Sequence, residues 1–199
     1  STVGGWVVTR GAGQNSTYYG KIERLVICQE YVTPQGIIRT REFPAKANGP
    51  DLDQIMIGSE GTFGILTEVT LKIFKYMPEN RQYFSYIFKT WEDAKEALRE
   101  IMQSESGFPS VCRLSDPEET DIALKLYNVE DTIIDKALRM KGYEKGKRCI
   151  LLGTSDGAKK FTKLVKSNVN KICKKHHAMN STAYVTKEWE KGRFRDPYM

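Results

Sequence analysis

The chain has 199 residues, of which 40% are hydrophobic, and a formal net charge of +6 at pH 7. This length accommodates one substantial domain or two small ones, and the hydrophobic content is sufficient for a real core. No stretch approaches the roughly 20 apolar residues of a membrane-spanning helix, and the N-terminus lacks the regions of a signal peptide. We therefore expect no transmembrane segment and a cytoplasmic protein.

The first half of the chain predicts a small antiparallel sheet and one short helix. The opening segment contains two adjacent glycines and no preceding methionine, which we interpret as an internal piece of a longer protein. Residues 22–32 predict a strand, and Thr33-Pro34-Gln35-Gly36 has the residues that a tight turn requires before a partner strand over residues 37–40. Asp51 is suited to cap a short helix that follows it.

Glycine recurs at every third position after this helix, at Gly58, Gly61 and Gly64. Glycine adopts positive φ angles without penalty and lets a large ligand approach the main chain. Successive N–H groups of such a loop can also converge on an anion. The spacing is typical of a cofactor-binding loop, although a tight connection between a helix and a strand gives the same pattern. Alternating apolar residues from 65 to 74 then predict a long strand.

In the second half of the chain, predicted strands alternate with helices. Strands are indicated over residues 83–89, 111–114 and 150–153, and three helices begin at the capping residues Thr90, Asp116 and about Thr132. A last helix over residues 159–175 carries apolar residues on one face and lysines on the other. Strands and helices in this order predict an α+β layer packed on one sheet.

The charge, cysteine and histidine patterns give few specific signals. The lysines at 159–175 require that nucleic acid be considered, but they are expected to form the solvated face of an amphipathic helix, and the segment lacks interleaved aromatic residues. The four cysteines lie far apart, without metal-ligand spacing, and predict buried free thiols. His176 and His177 are adjacent and point in different directions. We expect neither a metal site nor a nucleic-acid partner.

Three stretches share their order and spacing with one enzyme family. They are Ser1-Thr2-Val3-Gly4-Gly5-Trp6 with Thr9-Arg10-Gly11-Ala12, Gly49-Pro50-Asp51-Leu52 leading into Gly58-Ser59-Glu60-Gly61-Thr62-Phe63-Gly64-Ile65, and Arg113-Leu114-Ser115-Asp116. Together they resemble the FAD-linked oxidases of the vanillyl-alcohol-oxidase type, in particular the alkylglycerone-phosphate synthases and, more distantly, the D-lactate and glycolate dehydrogenases. Trp189-Glu190-Lys191-Gly192-Arg193-Phe194 resembles a later segment of the same family.

This resemblance implies an α+β fold in two parts. Residues 1–77 would be the second subdomain of a vanillyl-alcohol-oxidase-type FAD-binding domain, and residues 78–199 would be part of a ferredoxin-like cap domain that binds substrate. FAD would be bound by two groups of residues: Thr2, Gly4, Gly5, Thr9, Arg10, Gly11 and Ala12 in the first, and Glu60, Gly61, Thr62, Phe63, Gly64, Ile65 and Leu66 in the second. The family's catalytic residues match no part of this chain, so none is assigned.

Arg113 would face the substrate in the cap domain. A guanidinium is a fixed and always charged group that suits a phosphate or a carboxylate, so the resemblance implies a small-molecule substrate with one of these groups. A strand-end arginine that is paired with Asp116 is the alternative interpretation.

Three functions remain open at this stage. The synthases imply synthesis of an ether-lipid precursor through an adduct at flavin N5, in a homodimer and, for a eukaryotic enzyme, in the peroxisome. The dehydrogenases imply hydride transfer from a D-2-hydroxy acid such as lactate or glycolate to the flavin. A basic, non-catalytic module that binds nucleic acid is an alternative from another class.

Overall fold

A computed structural model describes residues 2–43, 47 and 49–193 of the chain. The chain divides into two compact units, Ser1–Lys75 and Tyr76–Met199. Ser1 and Phe194, each at one end of a family motif, lie outside the described residues.

The first unit contains a three-stranded antiparallel sheet and short helices. Strand β1 (Val26–Thr33) lies between β2 (Gly36–Arg39) and β3 (Ile65–Leu71). The predicted turn joins β1 to β2, and the Thr33 hydroxyl donates a hydrogen bond to the Gly36 carbonyl over 2.7 Å. The helices of this unit are α1 (Val3–Val8), α2 (Ser16–Tyr19), α3 (Ile22–Leu25) and α4 (Leu52–Met56).

Two of the predicted elements in this unit differ from the structure. Residues Ile22–Leu25 form a helical turn instead of the start of a strand, because this turn buries Ile22 against Val7 and Ile57. Strand β3 ends at Leu71, short of the predicted residue 74. Its alternating residues do not share one buried face, since Ile65 is 73% exposed, and two register shifts between β1 and β3 change the face that the residues occupy.

A buried polar cluster fixes α4 to the sheet just before the glycine loop. Asp53 of α4 accepts hydrogen bonds from the Gln29 amide over 2.9 Å and from the Thr40 hydroxyl over 2.6 Å. The Tyr31 hydroxyl donates to the Met56 carbonyl over 3.2 Å. Buried polar groups that are satisfied in this way rigidify their surroundings, so the loop that follows α4 begins from a fixed position.

The second unit has a four-stranded antiparallel sheet. Its strands are β4 (Gln82–Phe88), β5 (Val111–Ser115), β6 (Cys149–Ser155) and β7 (Met179–Asn180), in the spatial order β5-β6-β4-β7. Its helices are α5 (Trp91–Gln103), α6 (Pro117–Leu126), α7 (Ile133–Met140), α8 (Lys159–Lys175) and α9 (Ala183–Gly192). This order is that of a ferredoxin-like sheet, so the predicted α+β fold class is confirmed.

Helices cover both faces of this sheet. Helices α5 and α8 bury one face, in a core that includes Phe84, Phe88 and Leu151. On the opposite face, Ile87, Val111 and Leu152 form a smaller core with Trp189 of α9. The capping residues Thr90, Asp116 and Thr132 begin α5, α6 and α7 as predicted, and each side chain accepts a hydrogen bond from the backbone three residues ahead.

Candidate functional site

The structure joins the two predicted flavin-binding segments by backbone hydrogen bonds. Gly58 N–H donates to the Val7 carbonyl over 3.0 Å, and Glu60 N–H donates to the Val8 carbonyl over 3.0 Å. At the other end of α1, the Leu66 side chain lies 3.8 Å from the position that a Cβ on Gly4 would occupy. Segments that are 50 residues or more apart in sequence therefore form one continuous surface in the first unit.

The Arg10 side chain links the first of these segments to α4 and to Ile57, just before the glycine loop. Its guanidinium donates to the carbonyls of Gln54, over 2.6 Å, and Ile57, over 3.0 Å, and also contacts the Glu23 carboxylate over 3.3 Å. Arg10 and Glu60 both have positive φ angles, at 51° and 50°. Such angles cost free energy in residues other than glycine and persist where the surroundings enforce them. The Arg10 side chain thus positions the loop.

The structure explains in different ways why glycine occupies each of the three loop positions. A Cβ on Gly64 would lie 2.4 Å from the Val32 carbonyl oxygen, and a Cβ on Gly58 would lie 3.0 Å from the Arg10 Cβ. Protein packing therefore explains both of these glycines. A Cβ on Gly61 would meet no atom within 4 Å, and its φ of 85° favours glycine. Of the three glycines, Gly61 is therefore the one with free space next to its backbone.

Most of the amides in these segments already have acceptors within the protein. The N–H groups of Thr9, Arg10 and Gly11 donate to the carbonyls of the preceding turn, and Thr62 N–H donates to the Ser59 carbonyl over 2.9 Å. Thr2 caps α1 by accepting from Gly5 N–H over 3.0 Å. The simple expectation that these amides converge on one anion is therefore too broad. Within the described part of the chain, the N–H groups of Ala12, Gly61 and Phe63 have no acceptor.

The surface around these segments fits a flat cofactor that carries a diphosphate. Trp6, Phe63 and Ile65 expose 48%, 49% and 73% of their surface. Exposed apolar side chains of this size can contact a ring system. The open backbone at Gly61 leaves room for a ligand that a side chain would exclude. The family cofactor, FAD, is compatible with these residues.

We expect Gly64→Ala to weaken the β1–β3 contact and flavin binding together. The new methyl group would meet the Val32 carbonyl, and overpacking of this kind costs about 1–3 kcal/mol of unfolding free energy. Thermal unfolding and the flavin absorbance of the purified full-length protein would measure both effects. Gly13→Ala is the matched control, because no atom lies within 4 Å of the added Cβ. Equal stability and flavin content in the two variants would contradict the prediction.

In the second unit, Arg113 lies on β5 opposite Leu152 and next to α9. Its guanidinium forms an ion pair with Glu119 and lies 5.9 Å from the centre of the Trp189 ring. The predicted alternative partner, Asp116, instead caps α6 by accepting from Glu119 N–H over 2.8 Å. About a third of the Arg113 side chain is exposed, so it remains accessible to an anionic ligand.

Sequence reasoning missed a polar network on the same face of the sheet. Arg81 forms ion pairs with Asp156 and, over 2.7 Å, with Glu190, and Glu190 accepts a hydrogen bond from the Tyr83 hydroxyl over 2.9 Å. Burial and the neighbouring Glu190 carboxylate raise the pKa of Tyr83, so it stays a hydrogen-bond donor at neutral pH. Glu190 lies within the family motif Trp189–Phe194, and this motif was the signal for the network in the sequence.

Other classes of site find little support in the structure. The residues that the structure describes contain no cluster of three or more His, Cys, Asp or Glu side chains arranged for a metal ion. Three of the four cysteines are buried, and burial raises the pKa of Cys149 to about 11, which keeps this thiol protonated. Within residues 2–43, 47 and 49–193, no helix has both the length and the apolar character needed to cross a bilayer.

The second unit defines the class of protein to which the chain belongs, the FAD-linked oxidases. Residues 77–195 match the family model "FAD linked oxidases, C-terminal domain". The chain belongs to this family, and the cofactor of the family is FAD.

Comparison with individual proteins extends the similarity to the whole chain. Alkyldihydroxyacetonephosphate synthase of Dictyostelium discoideum is 30% identical over 207 residues, which cover 100% of this chain and 34% of that protein. A solved structure of an alkyldihydroxyacetonephosphate synthase superimposes with a TM-score of 0.86 at 31% identity and covers 100% of this chain and 36% of the other. The mitochondrial D-lactate dehydrogenase [cytochrome] of Arabidopsis thaliana is 35% identical over 106 residues, or 52% of this chain and 18% of that protein. The chain thus spans about a third of the synthases that it matches.

Proposed function

We propose that the full-length protein is an FAD-dependent alkylglycerone-phosphate synthase. In this reaction a fatty alcohol replaces the acyl chain of an acyl dihydroxyacetone phosphate, without net oxidation or reduction. The observation that carries the proposal is the similarity to such synthases over both units of the chain, in sequence and in structure. The match to the dehydrogenase covers about half of the chain.

The residues of this chain would have two tasks in that reaction. The joined segments around Val8 and Glu60 would hold and orient the flavin, with Gly61 as the point of closest approach. Bound FAD supplies the reactive centre for the exchange, as cofactors do in flavoenzymes generally. Arg113 would bind the substrate phosphate, because a guanidinium that stacks near an indole ring presents its N–H groups in a fixed plane.

A second candidate is an FAD-dependent D-2-hydroxy-acid dehydrogenase. The similarity to the plant D-lactate dehydrogenase favours it, and Arg113 would suit the carboxylate of a hydroxy acid equally well. Both candidates use the same cofactor and the same cationic residue, so only the reaction itself distinguishes them.

The deciding experiment assays two reactions with the purified full-length protein. One follows the incorporation of a radiolabelled fatty alcohol into the ether product from acyl dihydroxyacetone phosphate. The other follows reduction of a dye by D-lactate or glycolate. We expect incorporation of the alcohol without dye reduction. Dye reduction without incorporation would establish the dehydrogenase instead.

We expect Arg113→Gln to lower kcat/KM for the anionic substrate by about 10- to 100-fold. A hydrogen bond to a charged group is worth about 1.5–3 kcal/mol, which corresponds to this range. The matched control is Arg99→Gln on α5, where an exposed arginine pairs with Glu96 over 2.8 Å. Steady-state kinetics on both variants, at equal flavin content, would test the assignment, and equal kcat/KM values would refute it.

A further inference from the structure

Helix α8 has a charge pattern that differs from every other long helix of its unit. Its 17 residues include seven lysines and no aspartate or glutamate. Five of its residues, including Val165, Val169 and Ile172, are buried against the sheet and α5. At 100° per residue, the lysines occupy about half of the helix circumference, on the side opposite to the buried residues. We call them the lysine face: Lys159, Lys160, Lys163, Lys166, Lys171, Lys174 and Lys175.

The arrangement of charge on α8 is unfavourable for the stability of the helix. Helices α5, α6 and α7 each begin with a capping side chain and have an acidic residue in the first turn. Helix α8, like α9, has neither, but α8 alone of these helices also places two lysines, Lys159 and Lys160, at the end where the helix dipole is positive. Like charges along one face also repel each other. Departures from local stability rules that have no structural compensation are typical of functional surfaces.

The lysine face is almost free of compensating acidic side chains. In the part of the chain that the structure describes, the only ion pair of these seven residues joins Lys175 to Glu100 over 2.9 Å. Of the remaining six lysines, five are exposed and Lys166 is partly exposed, along a helix that is roughly 25 Å long at 1.5 Å per residue. Several charges of one sign without ion-pair partners on one side of a helix produce a potential that attracts an extended anionic partner.

We propose that the lysine face of α8 binds the surface of an anionic lipid bilayer. An acidic lipid surface complements a helix face of ammonium groups that lack ion-pair partners, and each lysine whose side chain reaches such a surface strengthens adsorption by roughly fivefold. This binding is peripheral and involves no membrane-spanning segment. The inference rests on the charges of α8 and is independent of the reaction proposed above.

Three features favour a bilayer over nucleic acid as the partner. All seven cations are lysines and none is arginine, which is the residue suited to planar, bidentate contacts with phosphate or base edges. Leu164 lies among the lysines and is 57% exposed, so an apolar side chain is available to enter the boundary of the acyl chains. The one aromatic residue of α8, Phe161, packs against the core of the unit, so no aromatic ring lies among the lysines for bases to stack on.

The test measures co-sedimentation of the full-length protein with vesicles. We expect binding to phosphatidylcholine vesicles that contain phosphatidylserine, little binding to pure phosphatidylcholine, and a steep loss of binding as salt rises above about 0.1 M, where the Debye length is about 10 Å. Replacing Lys163, Lys171 and Lys174 by Gln should weaken vesicle binding by at least about tenfold. Glutamine has a helix propensity close to that of lysine, so folding should be preserved.

Two controls make the result decisive. Gln replacements at Lys125, Lys136 and Lys141, which are exposed elsewhere in the unit, remove the same net charge and should leave vesicle binding within about twofold. A duplex DNA probe tests the competing partner. Equal loss in the two triple variants would show that net charge alone is responsible, and binding to the DNA that is tighter than to acidic vesicles would assign the face to nucleic acid. Either result, or no vesicle binding at low salt, overturns the proposal.

Discussion

Replacing Asp135 by Asn is expected to lower the free energy of unfolding of the second unit by about 3–5 kcal/mol, the usual cost of breaking a buried ion pair. Asp135 and Arg148 are both fully buried and are joined by an ion pair. Arg148 also donates to Asp121 over 3.0 Å. These three residues lie on α7, on α6 and just before β6. Without the Asp135 charge, the buried guanidinium keeps a single carboxylate partner, Asp121, at the point where three elements meet.

The guanidinium of Arg148 already lacks one hydrogen-bond acceptor before the Asp135 carboxylate is removed. Among the described residues, one terminal nitrogen of the Arg148 guanidinium is buried without any hydrogen-bond partner. Asparagine preserves the shape of the side chain but not its charge, so the variant measures the electrostatic contribution. Asp131→Asn is the matched control, because Asp131 pairs with Arg139 of the same network over 2.8 Å but is 80% exposed. Exposed pairs contribute about 0–1 kcal/mol.

The pH dependence of unfolding provides a second measurement of the same interaction. Burial alone would raise the pKa of Asp135, but the hydrogen bonds from Arg148 and Arg139 reverse this effect and lower the pKa to about 2. A carboxyl group whose pKa is depressed by folding stabilises the protein above its unfolded pKa of about 4, and this contribution is lost as the pH falls towards 2. Urea unfolding at several pH values should therefore show a smaller acid dependence in Asp135→Asn. Equal unfolding free energies for the Asp135 and Asp131 variants would refute the assignment.

The sequence was sufficient to predict the helices and turns that depend on contacts between residues close together in the chain. Thr90 and Asp116 start helices because a side-chain oxygen accepts from a backbone amide three residues later, so the contact lies within a short stretch of sequence. The turn after Thr33 is local in the same sense. The order of strands and helices then led to the α+β class, and the family resemblance led to the ferredoxin-like sheet.

Structural features that depend on contacts between distant parts of the chain were not predictable from local sequence patterns. Ile22 has the hydrophobicity of a strand residue, yet it lies in a helical turn because Val7 and Ile57 complete its burial. Likewise, Arg113 pairs with Glu119 instead of Asp116, because the first turn of α6 brings the Glu119 side chain to β5 and uses Asp116 as the cap. Arg148 gave no signal in the sequence, since its partners lie 13 and 27 residues away.

Within the candidate site, the different roles of the three loop glycines were likewise not predictable from the sequence. Regular spacing predicted one role for Gly58, Gly61 and Gly64, whereas the structure gives Gly58 and Gly64 packing reasons and leaves an open surface at Gly61. The contact between the loop and α1 also depends on Arg10, whose side chain reaches residues 44 and 47 positions away. The family resemblance predicted this region as a whole, and the space beside each glycine distinguishes the three residues from one another.

Replacing Gly153 by Ala is expected to destabilise the second unit by about 3 kcal/mol, at the upper end of the usual cost of overpacking. Gly153 lies in the middle of β6, between Phe84 of β4 and Cys112 of β5. An added Cβ would lie 2.2 Å from the Val111 carbonyl oxygen and 2.5 Å from the Phe84 ring. Its φ angle is one that alanine accepts, so the cost is steric.

The two contacts of the added methyl group can be separated experimentally. Phe84→Leu in the Gly153→Ala background would relieve the contact with the ring but not the contact with the backbone oxygen, which cannot rotate away. The double variant should therefore recover only part of the stability lost by Gly153→Ala, after correction for the cost of Phe84→Leu alone. Urea unfolding of the full-length protein measures each step. Full recovery would show that the ring alone fixes this glycine, and an unchanged unfolding free energy in Gly153→Ala would show that β5 can move away from β6 without cost.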